Sequence, residues 1–326
     1  MNVLITGVTG RIGANVAAAL AEQGHRVRGL VWPRDPRVEK LQQLDLDLQT
    51  GTITEPEDVR TAMEGVEVVY HLGAAFQGGG PFTDEDYFDI NVRGTFNMLE
   101  AVKGEGGVGR FVFASTDAVL HSSVWGGPQE QIRVDESPRG PSDWYSLSKS
   151  MCEELCNGYV RMEGTVPVTI LRFPYTFGAG EVVDFATFYL SKSWESYGLA
   201  DLWKGEERLV LLKDMQGRPF KKHVADVRDI VGGCVSALDR EQAAGETIQL
   251  AGPGAFTWDI AVPHLSKRID IPYVEATATK GPPSFYEHDM TKARDLLGWE
   301  PRYDIVTMID DALAFKRGED IGVLPV

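Results

Sequence analysis

Tyr145 and Lys149 stand four residues apart in the stretch WYSLSKS, a spacing that puts both on one face of a helix. A phenol beside an ammonium can move protons near neutrality. Bringing a tyrosine from about 10 to about 7 takes roughly 4 kcal/mol of preferential stabilisation of the phenolate. An ammonium about 4 Å away supplies roughly 4 kcal/mol at an effective dielectric near 20, but only about 1 in bulk water. The pair therefore needs a cover that excludes water. Thr116, closing the run FVFAST, offers a hydroxyl for the reacting oxygen. Such a trio suits a reaction in which the phenol exchanges an alcohol proton while a nicotinamide exchanges the hydride.

A second set of residues suits an anion. In TGVTGRIG, Gly7, Gly10 and Gly13 recur at steps of three, behind an apolar run and ahead of an amphipathic pattern. The spacing fits either a plain strand-to-helix turn or a cradle for a pyrophosphate, and its place at the head of a strand–helix series favours the cradle. Gly7 would allow the turn, Gly10 the close approach of the ligand, and Gly13 the packing of helix on sheet. The next strand runs Arg28-Gly29-Leu30-Val31-Trp32-Pro33-Arg34 without a carboxylate at its tip. Arg34 or Arg28 could there attract a 2′-phosphate, so the cofactor reads as NAD or NADP with a lean to NADP. The alternative is that these arginines are merely solvated.

The elements that must position these groups are short apolar runs: VLIT from Val3, VRGLV from Val27, LDLQT from Leu46, VEVVYHL from Val66, RFVFA from Arg110 and VPVTILRF from Val166. Helical patterns lie between them, one ending at Gly24 and one opening at Thr54-Glu55-Pro56-Glu57, read as a capping box. This alternation predicts the α/β class, a Rossmann-type doubly wound parallel sheet. After Arg172 the rhythm changes to an aromatic stretch from Phe185 to Trp203, a strand near 209–212 and a helix from about Asp226 to Leu238. Residues 1–174 with about 221–251 are expected to bind the dinucleotide. About 175–220 and 252–326 would form a smaller interleaved substrate-binding part over the strand ends. The aromatic stretch is either a stacking wall for a sugar ring or core and lid packing.

The chain has 326 residues, 48 Asp plus Glu against 32 Lys plus Arg, and a formal net charge of −16. That balance argues against a nucleic-acid partner. No run approaches the ~18 apolar residues of a membrane span, and MNVLITG does not read as a signal peptide. A soluble, cytoplasmic protein acting on a small molecule is expected. Cys152, Cys156 and Cys234 form no C-x-x-C pattern, and the histidines show no metal-binding spacing, so no metal is expected.

Over nearly its whole length the chain resembles the extended short-chain dehydrogenase/reductases of the NAD(P)-dependent epimerase/dehydratase type. TGVTGRIG, HLGAA (71–75), NVRGTFNMLEA (91–101), FVFASTDAV, Tyr145-Ser-Leu-Ser-Lys149, ILRFPYTFG, HVADV (223–227) and KARDLLGWEPRY fall in that family's order. The resemblance implies Thr116, Tyr145 and Lys149 as the catalytic trio, with Lys149 also holding the nicotinamide ribose. It implies cofactor contacts from Gly7, Gly10, Arg11, Ile12, Leu72, Gly73, Ala74, Asn91, Ala114, Phe173 and Pro174. Trp32, Arg34, Thr52 and Ile53 complete the candidate cofactor contacts, and Phe76, Asp117 and Tyr175 are candidate substrate contacts. Asp117 either touches substrate or caps a loop. Asn91 is either a relay near Lys149 or a structural hydrogen bonder. The resemblance also implies a homodimer through the Tyr145 helix.

Departures from the family pattern narrow the reaction. Ala118 stands where dehydratases carry an acid, and Thr52 where an acid lies near adenine. Sugar-nucleotide epimerases carry an asparagine at the position of Tyr175 and a diphosphate-binding arginine at Pro219, with Arg218 one place off. The expectation is an NAD(P)-dependent oxidoreductase acting on a secondary alcohol or ketone of a small, polyhydroxylated substrate. The alternatives are a nucleoside-diphosphate-sugar epimerase with retained NAD and a non-catalytic dinucleotide sensor.

Overall fold

The computed structural model describes residues 1–76, 82–120, 131–163 and 166–326. Its central sheet contains β1 (Asn2–Thr6), β2 (Arg26–Val31), β3 (Asp47–Thr50), β4 (Val68–His71), β5 (Arg110–Thr116), β6 (Val168–Phe173) and the edge strand Thr247–Gln249. All pair in parallel, in the order Thr247–Gln249, β6, β5, β4, β1, β2, β3. The order turns back between β1 and β4, where Thr6 faces Leu30 on one side and His71 on the other. Helices that leave these two strands on opposite faces of the sheet open a crevice at their carboxyl ends.

Both faces of the sheet are covered, which is why β4 and β6 are buried along their whole length. On one side α1 (Arg11–Glu22) and the helices Val227–Asp239 and Thr291–Leu297 pack Val16, Leu20, Ile230 and Leu297 onto it. On the other, α2 (Pro56–Met63) and the helices Gly94–Glu105 and Trp144–Glu163 contribute Val59, Met98, Cys152 and Cys156. The three cysteines are buried and unpaired with one another.

A third apolar cluster lies beyond the sheet and holds Phe177, Phe185, Phe188, Leu211, Phe220, Trp258 and Ile309. Phe188 is fully buried with its ring 5.6 Å from that of Trp258. Of the two readings of the aromatic stretch, its residues therefore follow the packing one. Strand Leu209–Lys213 runs parallel to Tyr273–Thr277, and Lys221–Lys222 antiparallel to Phe256–Thr257.

Local punctuation follows the sequence in one place and departs from it in another. Gly24, at φ +81°, ends α1 as expected, with His25 N–H donating to the Leu20 carbonyl. The capping box at Thr54 does not form. Pro56 takes the first helical position, so the cap falls on Glu55, which makes no side-chain cap bond. The Thr54 hydroxyl instead meets that of Thr52 at 2.9 Å. Ahead of Gly94–Glu105, residues Tyr87–Arg93 wind as a π-helix, a wider turn that recurs at functional sites.

Candidate active site

The glycine turn lies at the crevice between β1 and β4. Gly7 has φ +70°, and a Cβ there would stand 2.6 Å from the Cα of Gly73. The turn after β1 and the loop after β4 thus touch backbone to backbone, and Gly73 N–H donates to Thr6 Oγ1 at 3.1 Å. A Cβ on Gly13 would lie 2.2 Å from the Gly7 carbonyl oxygen. This corrects the expected role of Gly13, which lets helix α1 approach the turn rather than the sheet. A Cβ on Gly10 would meet, among the described residues, the Gly7 oxygen at 3.2 Å and open space otherwise. Gly10 starts α1 with no side chain capping it, so the helix offers free N–H groups and the positive end of its dipole. Those features fit a pyrophosphate.

Ile12 packs into the core beneath the turn. Arg11 reaches across to the segment after β6, donating to the Thr176 carbonyl at 2.8 Å and to Glu181 at 2.7 Å. Its guanidinium also lies 5.7 Å from the ring of half-exposed Phe76.

At the tip of β2 the structure differs from the sequence reading. Arg28 turns away from the crevice, binding Asp47 at 2.8 Å and the Ala62 and Glu64 carbonyls at the end of α2. Arg34 is exposed at φ +64°, and that bend brings the next residue back over the glycine turn. Asp35 accepts from Thr9 Oγ1 at 2.6 Å and pairs with Arg37 at 2.7 Å. The Arg37 guanidinium, with help from Thr9, holds the Asp35 acid down at about 2 despite opposing burial. This carboxylate lies beyond the strand end where sequence reasoning looked for one. Exposed Trp32, with Thr52 and Thr54, lines a cleft of about 400 Å³ beside it. Ile53 packs under Gly94, whose Cβ would stand 2.7 Å from its Cδ1.

Around β4 and β5 the other candidates converge. Leu72, Gly73 and Ala74 form the half-buried loop after β4, and Ala114 lies on β5, with Phe173 and Pro174 buried at the end of β6. The Asn91 side chain accepts from Ala75 N–H at 2.8 Å and donates to the Ala75 carbonyl and Ser148 Oγ. Those bonds tie the loop to the Tyr145 helix, which is the structural reading of Asn91.

Thr116 ends β5, and its hydroxyl lies near enough to the Tyr145 phenol to favour its ionised form. The same Oγ1 accepts from Ala118 N–H at 3.2 Å, so Thr116 rather than Asp117 caps the turn that follows. Lys149 is 3% exposed, with Nζ 4.2 Å from the Phe113 ring centroid. Burial pushes the phenol well above its ordinary value, opposed by Thr116 and reinforced by Asp117 and Asp143. Burial pushes the Lys149 ammonium down.

One group essential to this geometry escaped the sequence reading. Glu153, four residues beyond Lys149, is buried and receives two bonds of 2.8 Å from Arg172 on β6 and one of 2.6 Å from Ser115 on β5. Arg139 adds a contact at 3.0 Å. Burial raises the acid, but the Arg172 bonds and charge outweigh it and leave it lowered. The 145, 149, 153 spacing was the available signal.

Asp117, a candidate substrate contact, is buried, with Oδ2 3.2 Å from His288 Nε2. His288 stacks on His223, whose Nε2 meets the Gly252 carbonyl at 2.9 Å. Tyr175 is 49% exposed, its ring 5.5 Å from that of Phe185. Arg218 points elsewhere, held by Asp214 at 2.7 Å and lying 4.5 Å from the Phe285 ring. Among the described residues no cluster of three or more His, Cys, Asp or Glu is arranged to hold a metal, and no helix is long and apolar enough to cross a membrane.

Residues 3–251 match the NAD dependent epimerase/dehydratase family. A 3-beta-hydroxysteroid dehydrogenase of Mycolicibacterium neoaurum is 32% identical over 181 residues, covering 52% of this chain and 46% of that protein. UDP-glucuronate 4-epimerase 1 of Arabidopsis thaliana is 25% identical over 336 residues, covering 94% and 74%. The chain spans about half the length of the curated dehydrogenase and reductase it matches. The crystal structure of a short-chain dehydrogenase/reductase superfamily protein from Agrobacterium tumefaciens with bound NAD superposes with a TM-score of 0.83 at 29% identity, covering 98% of each chain.

Two predictions follow from the buried charges. Replacing Glu153 by alanine strands the Arg172 guanidinium and should cost about 3–5 kcal/mol, measured by urea unfolding. The second concerns pH. Burial, with the Lys149 charge second, pushes His71 down to about 3, and burial, with His288 second, pushes His223 down to about 4. Both are neutral when folded and titrate near 6.5 when unfolded, so their stabilisation is present above about 6.5 and lost as pH falls, by up to about 1.4 kcal/mol per pH unit each. Asp229, pushed up to about 6 by burial, works in the opposite sense between about 6 and 4 and cancels one of them. The urea midpoint should therefore fall as pH drops from 6.5 to 4; a flat or rising midpoint contradicts the assignment.

Proposed function

The chain belongs to the NAD dependent epimerase/dehydratase family, and from that premise we propose that it is an oxidoreductase acting on a secondary alcohol or ketone of a small, polyhydroxylated substrate. The observation that carries this reading is the meeting of Thr116, at the carboxyl end of β5, with the buried phenol of Tyr145, whose ionisation it eases, one helical turn from buried Lys149. When bound, NAD supplies the hydride acceptor or donor. Thr116 and Tyr145 hold one substrate oxygen between two hydroxyls. A phenol kept protonated by its surroundings is a proton donor to a carbonyl oxygen undergoing reduction. Taking a proton from an alcohol calls for the Lys149 ammonium within about 4 Å of the phenol, where it would offset the cost of the phenolate.

The free N–H groups at the start of α1, with Gly10 open above them, support a pyrophosphate site at Gly7, Gly10, Arg11 and Ile12. The loop Leu72–Ala74 with Ala114, Phe173 and Pro174 would flank the nicotinamide end, and Trp32, Arg34, Thr52 and Ile53 the adenosine end. A fixed negative charge at Asp35, bonded to Thr9 of the glycine turn, disfavours a further phosphate there. With Arg28 engaged elsewhere, this supports NAD over NADP. Asp117, Tyr175 and Phe76 are the proposed substrate contacts. Residues 1–174 with about 221–251 would serve the dinucleotide, and about 175–220 with 252–326 the substrate.

A homodimer is supported by exposed Phe96 (45%), Trp144 (45%) and Leu147 (37%) on the helices Gly94–Glu105 and Trp144–Glu163. The net charge of −16 supports the absence of a nucleic-acid partner, and a cytoplasmic protein without a membrane partner is part of the same reading. A second reading, a nucleoside-diphosphate-sugar epimerase, is favoured by the 94% coverage of this chain by the Arabidopsis epimerase. Against it stand Tyr175, Pro219 and the diversion of Arg218 to Asp214.

Tyr145→Phe should lower kcat/KM by roughly 10²–10⁴, read at the nicotinamide absorbance band, while NADH still binds. Unchanged turnover would sink the role given to Tyr145. Denaturing freshly purified protein should release little NAD; a stoichiometric amount would favour the epimerase.

A further inference from the structure

Strand Lys221–Lys222 sends two successive lysines to opposite sides, as strand geometry requires. Their surroundings differ sharply. Lys221 pairs with Glu287 at 3.2 Å. Lys222 turns inward, with Nζ 5.5 Å from the Tyr175 ring centroid and 5.3 Å from that of Phe185. No described carboxylate forms an ion pair with it, and its ammonium is pushed down by burial. The charge that acts on it is Asp117, which steadies the ammonium without a hydrogen bond. The Asp117 carboxylate is already engaged, with Thr116 at 3.4 Å and His288 at 3.2 Å.

An ammonium carries three donors, and two ring faces satisfy its charge without accepting those hydrogens as a carboxylate would. The arrangement is a cation held ready near the end of β5, since Tyr175, whose ring the ammonium faces, stands two residues beyond Phe173, the β6 residue paired with Thr116. Other basic groups nearby are committed: Arg218 to Asp214, and Arg11 to Glu181 and Thr176. One compact ammonium between two aromatic rings suits a single carboxylate better than a diphosphate, which calls for several donors. Asp117 would repel an acid group from its own side and leave the Tyr175 side open to it.

We propose that Lys222 is the specificity-determining residue for an anionic substrate, its ammonium taking the carboxylate of a small sugar acid whose hydroxyl or carbonyl carbon lies at Thr116 and Tyr145. This rests on the oxidoreductase reading above. The acid would bind between the Lys222 cage and the phenol, with Tyr175 covering one side.

The test uses the full chain saturated with NAD, as wild type, Lys222→Met and Lys222→Arg. Glucuronate and galacturonate are compared with glucose and galactose, by titration calorimetry and by absorbance at the nicotinamide band. The wild type should prefer the acids. Lys222→Met should reduce the acid-over-neutral preference roughly 10- to 100-fold, the factor of one lost charge-assisted hydrogen bond, and through KM or Kd rather than kcat. Lys222→Arg should retain most of the preference, and Lys222→Gln repeats the measurement if the methionine variant does not fold. No acid preference in the wild type, or equal loss for acids and neutral sugars, overturns the proposal. Acid binding that depends on Lys222 but never changes the absorbance supports the anion site and overturns the oxidoreductase reading. An absorbance change with neutral and acidic sugars alike does the reverse.

Discussion

The bidentate pair between Glu153 and Arg172 is the constraint on which the reacting geometry depends. It clamps the Trp144–Glu163 helix to β6, while Ser115 clamps it to β5 through the same carboxylate. Tyr145 sits about two helical turns from that clamp, which fixes the helix against the strand that ends at Thr116. Two desolvated charges gain little over a well-packed apolar pair, so the interaction is better understood as fixing one arrangement than as adding stability.

A similar economy holds the crevice open. The loops after β1 and β4 meet where neither Gly7 nor Gly73 has a side chain, and His71 braces the floor by bonding Thr6 at 2.7 Å and Thr95 at 3.0 Å. Arg11 then spans from the start of α1 to the segment that carries Tyr175. The glycine turn and the aromatic segment after β6 are therefore mechanically joined. The segment that carries Tyr175 packs on the Phe188–Trp258 core rather than on the sheet.

What the chain revealed in advance was whatever depends on local chemistry. The glycine spacing, the apolar strands and the Tyr145–Lys149 repeat each follow from a few neighbouring residues, and the parallel sheet followed from their alternation. Contacts set by distant partners stayed hidden. Glu153 looks like an ordinary helical acid until Arg172 on β6 is brought beside it. Asp35 was missed because the bend at Arg34 carries it back over Thr9, past the strand end where a carboxylate was sought. The Thr54 cap failed because Pro56 fixed the helix start one residue later. The aromatic face of Phe113 on β5 that lies beside the Lys149 ammonium is likewise a pairing no sequence spacing announces.

The π-helical stretch Tyr87–Arg93 holds one residue more than an α-helix would need for the same span. That surplus sets the azimuth of Asn91, whose amide is hooked to Ala75 and Ser148. Shortening the stretch by one residue would let it relax to ordinary winding and swing whatever precedes it by about 100° about the axis. The loop bordering the crevice and the helix bearing the phenol would then lose their shared tether together. In this fold an insertion acts as a spacer, and the length of the chain is as restrictive there as the identity of its side chains.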